Sequence, residues 1–153
     1  MKAETPRTSA MLRDLKRAGL KMTPQRLAIV RLFAEDDEHP TAQDLFERLR
    51  AAFPTMSFAT VYNTLDALAK AGLAGIVRLP GKRGDAARFD PNTEPHHHAV
   101  CDACGAVLDI AAGTLAPTPG AVKKLRRTAP GFHVHAVERI YRGLCGRCTA
   151  SRS

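Results

Sequence analysis

Cys101-Asp-Ala-Cys104 and Cys145-Gly-Arg-Cys148 contain all four cysteines of the chain. The CxxC spacing lets two thiolates of each pair converge on one ion, and Gly105 and Gly146 permit the tight backbone of such turns. Four thiolates are the ligand set of a closed, tetrahedral, structural zinc site. The two pairs therefore predict one structural Zn2+ per chain, which would join segments that are distant in sequence.

Two other interpretations of the cysteines are open. A pair of disulfides would need an oxidising compartment. The chain begins Met-Lys-Ala-Glu-Thr-Pro without an apolar signal segment, so we expect a cytoplasmic protein instead. A thioredoxin-like redox pair would use one CxxC at the start of a helix rather than two. Structural zinc is favoured over both.

The composition is that of a soluble globular protein, with 153 residues, 44% hydrophobic and 25% charged. No apolar run approaches the roughly 18 residues of a membrane span, so we expect no membrane association. The net charge is +8, and residues 1–31 are strongly basic, with Glu4 and Asp14 as their only acids. This excess points to a polyanionic partner in the first half, although a charge run is often an ordinary solvated surface.

The first seventy or so residues have the pattern of helices. Thr23-Pro24 reads as a helix cap followed by proline, and the acidic segment 35–40 ends that helix. Thr41 and Asp44 form a capping-box pattern, with apolar residues continuing to Phe53 and a break at Pro54. Ser57 caps a fourth helix, which stops at Gly72. Residues 1–8 are expected to be frayed.

The fourth helix has two different faces. Val61, Leu65 and Leu68 lie on one arc and are predicted to face the core. The opposite arc carries small and hydrogen-bonding side chains that suit a DNA major groove, where Asn pairs with adenine and a ring packs on a thymine methyl. An ordinary solvated helix face is the alternative, but such a face more often carries several Glu and Lys.

A predicted hairpin follows, with strands in 73–79 and 86–90 and a turn at Pro80–Gly84. Helices followed by a hairpin with a basic tip are typical of a winged helix-turn-helix. The candidate DNA-binding residues are Lys16, Arg26, Ala59, Thr60, Tyr62, Asn63, Lys82 and Arg83.

The second half changes to strands, predicted at His96–Cys101, Ala106–Ile110 and Val134–Tyr141, with one helix at Ala121–Thr128. In an extended segment His96 and His98 share one face, away from His97 and Cys101, and could bind a second ion. A surface tract or a purification tag is the alternative, although a tag fits poorly inside a chain beside a CxxC.

Several motifs together resemble the ferric uptake regulator (Fur) family in order and spacing: Thr23–Arg26, His39–Ala42, Ala59–Tyr62, Arg88–Asp90, His96–His98 and Cys101–Gly105. The resemblance covers about Met11 to Cys148. It implies an α+β fold, with an N-terminal winged helix-turn-helix domain at 9–90, a hinge at 91–95, and a C-terminal α/β dimerisation domain at 96–148 that holds the four-cysteine zinc site.

Within that family the chain is most similar to the peroxide-sensing PerR branch. The resemblance implies one regulatory Fe2+ or Mn2+ per chain, bound by His39, Asp90, His96, His98 and Asp109. Three imidazoles and two carboxylates suit these ions. Without the resemblance, His39 could be only a helix-end residue and the two Asp only turn residues. The hairpin is longer than usual, and Pro95 and Ala116 stand where some relatives have ligands of an additional site, so no such site is expected.

These observations, with the family resemblance, predict a homodimeric, metal-dependent repressor that binds an inverted-repeat DNA operator. The resemblance implies that this operator is A·T-rich. The PerR resemblance implies that Fe(II)-catalysed oxidation of His39 or His96 relieves repression. The alternative is a sensor of Fe(II) or Mn(II) supply without ligand oxidation.

Two further classes are less favoured. A zinc hydrolase or deaminase would need a Glu near an open zinc, but Ala99 follows His98 and Val100 precedes Cys101, so no enzymatic activity is expected. A zinc-ribbon interaction module would leave the basic half unexplained.

Overall fold

The computed structural model describes residues 4–78, 86–111, 119–134 and 137–151. The chain divides into two compact units, Met1–Thr93 and Glu94–Ser153. Within the described ranges, no helix combines the length and the hydropathy that crossing a membrane requires. The predicted hairpin turn, with Lys82 and Arg83, and Ala116 lie outside the described residues.

In its described residues, the first unit has four helices followed by two paired antiparallel strands, in which Ile76 faces Phe89. Its elements are α1 (Pro6–Arg17), α2 (Pro24–Ala34), α3 (Ala42–Leu49), α4 (Phe58–Lys70), β1 (Gly75–Val77) and β2 (Arg88–Asp90). Helices followed by a hairpin are the predicted order of elements for this half.

Local capping fixes where these helices begin. Thr23, Thr41 and Ser57 each accept a hydrogen bond from the backbone N–H three residues on, and Thr41 shares a reciprocal capping box with Asp44. After α4 the chain turns at Gly72, whose φ of 72° lies in the left-handed region that glycine adopts without strain. The predicted caps are confirmed.

Two helix boundaries differ from the expectation. Residues 6–8 are not frayed, because Thr5 caps α1 at Pro6 and Thr8 is fully buried. Helix α3 ends at Leu49, several residues before Pro54, and Phe53 continues the apolar face from a turn in which its N–H still donates to the Leu49 carbonyl.

The core of the first unit is formed by apolar side chains from all four helices and from the hairpin. Leu15, Ile29, Phe33, Leu45 and Leu65 are fully buried, and Phe89 of β2 is 2% exposed. Each such side chain contributes about 1.5–3 kcal/mol through burial. Val61, Leu65 and Leu68 all point into this core, so the predicted inner face of α4 is confirmed.

The second unit contains a three-stranded sheet in the order β4-β3-β5, with β3 antiparallel to β4 and parallel to β5. Its elements are β3 (His96–Cys101), β4 (Val107–Ala111), α5 (Pro119–Thr128), β5 (Ile140–Gly143) and α6 (Gly146–Ala150). Strand β3 matches the prediction, and the predicted helix begins slightly earlier, at Pro119.

The third predicted strand, Val134–Tyr141, is wrong over four of its six described residues. Residues 134 and 137–139 are not in a strand, and pairing with β3 begins only at Ile140, which lies opposite His98. Parallel partners are set by the rest of the sheet rather than by the local apolar pattern. Both units together give the α+β class that was expected.

Candidate metal centres

The four cysteines of the second unit form one cluster, and their Sγ atoms all lie within 4.8 Å of one another. Cys101 ends β3 and Cys104 lies in the turn that follows, which closes at Gly105 with a φ of 74°. Cys145 and Cys148 lie at the start of α6 and within it. None of the four is in a disulfide. The donor number and type fit a closed structural zinc site.

Backbone pairing brings the two CxxC segments together. Cys101 lies opposite Gly143 in the parallel β3–β5 register, and the Asp102 N–H donates to the Gly143 carbonyl at 2.8 Å. The Arg142 guanidinium donates to the Asp102 carboxylate at 2.6 and 2.9 Å. The cysteines are therefore brought together by the sheet as well as by any bound ion.

The thiols of this cluster do not ionise alike. The Cys145 backbone N–H, which donates to the Cys101 Sγ at 3.3 Å, and then the Cys104 N–H lower the pKa of Cys101 to about 6. The neighbouring sulfurs, first Cys145 and then Cys104, raise the pKa of Cys148 to about 12. Backbone N–H donors stabilise the Cys101 thiolate, whereas the neighbouring sulfurs disfavour ionisation of Cys148. A bound divalent cation would offset the repulsion among the four thiolates, as it does in a metal site.

Two of the five residues matched to the regulatory site meet in the first unit. His39 and Asp90 are almost completely buried, and His39 Nε2 lies 3.4 Å from Asp90 Oδ2. His39 has a φ of 54°, which is unusual for a residue with a side chain, and its carbonyl accepts from the Arg88 guanidinium at 3.1 Å. Asp90 Oδ1 accepts from the Asn92 N–H at 2.7 Å, which fixes the carboxylate.

The other three matched residues meet in the second unit. Asp109 of β4 lies opposite His98 of β3, and His96 and His98 share the same face of the sheet. The Nε2 atoms of the two histidines are 2.9 Å apart, and Asp109 Oδ1 lies 3.4 Å from His96 Nε2 and 3.9 Å from His98 Nε2. His97 is buried and pairs with Ile110 in the register, so it does not belong to this face.

The Nδ1 atoms of His96 and His98 each face an oxygen that can only accept a hydrogen bond. His96 Nδ1 lies 2.6 Å from the Glu94 carbonyl, and His98 Nδ1 lies 3.0 Å from Glu138 Oε1. These oxygens favour the tautomer with the proton on Nδ1, in which the Nε2 lone pairs of the two rings face one another. Nothing in the sequence marks Glu138, because the β3–β5 pairing determines its position.

Two lone pairs at 2.9 Å repel each other unless a cation, either a proton or a metal ion, lies near both. A metal–nitrogen bond is about 2.1 Å long, so neighbouring ligands at right angles on one ion are about 3 Å apart. The observed separation matches that spacing. Together with the Asp109 carboxylate, the cluster His96–His98–Asp109 fits a divalent ion that accepts nitrogen and oxygen donors.

The exposed side of α4 carries the residues that were predicted to contact DNA. Ala59, Tyr62 and Asn63 are exposed, with Tyr62 47% exposed, and Thr60 is half-buried. Phe58 is also 44% exposed and lies 6.4 Å, centroid to centroid, from the Tyr62 ring. Phe58, the first residue of α4, was not among the residues predicted to contact DNA.

The basic candidates of the first unit lie on other helices. Lys16 is exposed in the last turn of α1. Arg26 is half-buried, and its guanidinium donates to the Lys21 carbonyl at 2.6 Å.

Comparisons with known proteins agree with this arrangement. The model of the ferric uptake regulator family matches residues 17–137. The peroxide operon regulator of Bacillus subtilis is 39% identical over 141 residues, which cover 90% of each chain. The peroxide-responsive repressor PerR of Staphylococcus epidermidis is 36% identical over 137 residues, covering 88% of this chain and 85% of the relative.

A solved zinc uptake regulator complexed with zinc and DNA is similar in structure, with a TM-score of 0.62 and 25% identity, covering 97% of this chain and 98% of that one. Most of the chain therefore matches one family in sequence and in fold. The chain belongs to the ferric uptake regulator family, whose members are metal-responsive regulators.

Proposed function

We propose that the protein is a cytoplasmic, homodimeric transcriptional repressor that binds an inverted-repeat DNA operator when a regulatory Fe2+ or Mn2+ is bound. The regulatory ligands would be His39, Asp90, His96, His98 and Asp109. Zn2+ would occupy Cys101, Cys104, Cys145 and Cys148 as a structural ion.

The observation that carries this proposal is the pair of Nε2 atoms at 2.9 Å beside the Asp109 carboxylate. The buried His39–Asp90 pair supplies the same donor types in the first unit. Imidazole and carboxylate together favour Fe(II) or Mn(II) over the softer ions that thiolates select. The donor chemistry thus separates a regulatory ion from the structural zinc.

The ligands come from both units, and residues 91–95 connect them as the proposed hinge. An ion that binds all five donors favours the arrangement of the units in which they converge, and loss of the ion removes that preference. The regulatory ion would act on DNA binding through this population shift rather than by touching DNA.

DNA recognition is proposed to use the exposed arc of α4 in the major groove. Tyr62 and Asn63 are accessible there, while the opposite side of the helix is buried. The similar zinc uptake regulator was solved complexed with DNA, which supports DNA as a partner of this chain. A two-fold dimer would place two such helices on an inverted repeat. An A·T-rich operator fits the thymine and adenine contacts expected of Tyr and Asn.

Two relatives support peroxide sensing, one a peroxide operon regulator and the other a peroxide-responsive repressor. With zinc holding the thiolates, a histidine is the side chain to be oxidised. Fe(II) held by these ligands would catalyse the reaction of peroxide with a ring and would itself be unchanged overall. At His39 or His96, one peroxide oxygen would replace the hydrogen of a ring carbon and the other would leave as water, with the two electrons that peroxide gains coming from the ring. The ligand would then be damaged and the DNA released.

The test compares Fe(II)-loaded with Mn(II)-loaded protein after brief peroxide exposure, by peptide mass spectrometry and DNA binding. We expect one added oxygen on a peptide containing His39 or His96 with Fe(II), and no modification with Mn(II), which reduces peroxide far less readily. Unmodified histidines in protein that leaves DNA would refute the oxidation mechanism. Unmodified protein that stays bound would favour a sensor of metal supply.

A further inference from the structure

We propose that Glu138 is a positioning residue of the regulatory metal site, which fixes the tautomer and orientation of His98 and strengthens it as a ligand. This inference rests on the proposed function, because it concerns the same site. Glu138 is not among the five donors, and it would act through the ring that it contacts.

The contact between Glu138 and His98 is built into the sheet. The His98 backbone N–H donates to the Arg139 carbonyl at 3.0 Å, so the residue next to Glu138 is held against β3. From there Glu138 Oε1 lies 3.0 Å from His98 Nδ1. The His98 side chain is 3% exposed and the Glu138 side chain 59%. The ring is fixed in the protein, while the carboxylate remains hydrated on its outer side.

The direction of this hydrogen bond determines which nitrogen can bind metal. A carboxylate accepts the Nδ1 proton, so Nε2 keeps its lone pair, and Nε2 is the atom that faces His96 and Asp109. The negative charge of Glu138 also polarises the ring and makes Nε2 a better donor. Metal-bound histidines commonly donate their second N–H to a carboxylate or a carbonyl, and loss of that partner weakens metal binding about 10- to 100-fold.

His96 offers a comparison within the same cluster. Its Nδ1 faces the Glu94 backbone carbonyl, which a side-chain substitution leaves in place. His98 instead depends on a side chain, which can be replaced. The two histidines should therefore respond differently to changes at position 138.

The experiment compares Glu138→Ala, Glu138→Gln and the control Glu47→Gln in zinc-loaded protein. Glu47 is an exposed carboxylate on α3 that accepts from Gln43, so its replacement removes the same charge in the other unit. Mn(II) affinity is measured by titration with electron paramagnetic resonance of free Mn(II). Long-range 1H–15N NMR correlations report the tautomers of His96 and His98 before Mn(II) is added.

We expect Glu138→Ala to weaken Mn(II) binding about tenfold, at the lower end of that range because the carboxylate is partly in water. It should also allow a mixture of His98 tautomers, with His96 unchanged. Glu138→Gln keeps an acceptor oxygen without the charge, so it should retain the tautomer and lose less affinity. Glu47→Gln should match the wild type. A purely structural role for Glu138 would not change the tautomer of one ring alone.

Wild-type Mn(II) affinity and an unchanged His98 tautomer in Glu138→Ala would overturn the inference while leaving the proposed function intact. If the wild type itself bound no Mn(II) beyond its zinc, the proposed function would fail instead. If Glu138→Ala lost zinc or its fold, Glu138→Gln would decide the question. A lowered Mn(II) affinity with the His98 tautomer retained would then support the inference, and a wild-type affinity would overturn it.

Discussion

Replacing Cys148 by Ser is predicted to release zinc and to unfold the second unit while the helices of the first unit persist. The described residues of the second unit bury few apolar side chains, among them Val100 and Val107. Each contributes about 1.5–3 kcal/mol. A structural zinc in a small domain is worth about 10–16 kcal/mol. The zinc site is therefore the largest single stabilising contribution there, and three thiolates are not enough to close it.

The first unit should tolerate this loss, because its own core runs through four helices and includes Phe33, Leu45 and Leu65. We expect Cys148→Ser to retain most of the helical circular dichroism and the NMR signals of α1–α4, to lose those of β3–β5, and to lose the dimer. The matched control is Arg147→Gln, an exposed residue in the same CxxC turn that leaves all four thiolates in place. A native second unit in zinc-free wild-type protein, with all four thiols alkylated, would refute this reasoning.

Three further predictions concern the first unit. Tyr62→Ala should reduce discrimination between operator and scrambled duplex by about 1–3 kcal/mol per lost base contact, as measured by fluorescence anisotropy, and an unchanged preference would contradict the role of α4. Lys82→Ala or Arg83→Ala should weaken DNA binding to all sequences alike and reduce the slope of log K against log salt concentration by about one. A loss of affinity that depends on the DNA sequence would exclude a role in phosphate contacts alone. Asp36→Asn should destabilise the unit by about 1–3 kcal/mol in thermal unfolding. The reason is that the buried Asp36 carboxylate accepts hydrogen bonds from the Glu38 backbone N–H at 2.8 Å and from the Arg48 guanidinium. Asp37 is exposed, so the control Asp37→Asn should have no effect.

Features that depend on neighbours in sequence were predictable. The caps at Thr23, Thr41 and Ser57 satisfy N–H groups three residues away, so their signal lies within one turn of chain. The inner face of α4 follows from helical periodicity alone, and the four cysteines carry their own spacing. The side-by-side placement of His96 and His98 likewise follows from strand geometry.

Features that depend on distant pairing were not predictable from the residues alone. Strand β5 begins at Ile140 because β3 offers a partner there, which the apolar pattern from Val134 does not reveal. The same pairing places Glu138 against His98. The His39–Asp90 pair joins a loop after α2 to the end of β2, and only the family resemblance indicated it.

The two metal centres differ in what their binding free energy can accomplish. All four thiolates belong to the second unit, so zinc stabilises that unit whatever the arrangement of the other. The proposed regulatory donors are divided between the units, so part of their binding free energy depends on how the units are arranged. An ion at about a hundred times its Kd favours the state that binds it by about 2.7 kcal/mol, which is about a hundredfold in population. A shift of that size would support the proposed control of DNA binding. An exchangeable ion is needed for this purpose, which favours nitrogen and oxygen donors over the tighter thiolate cage.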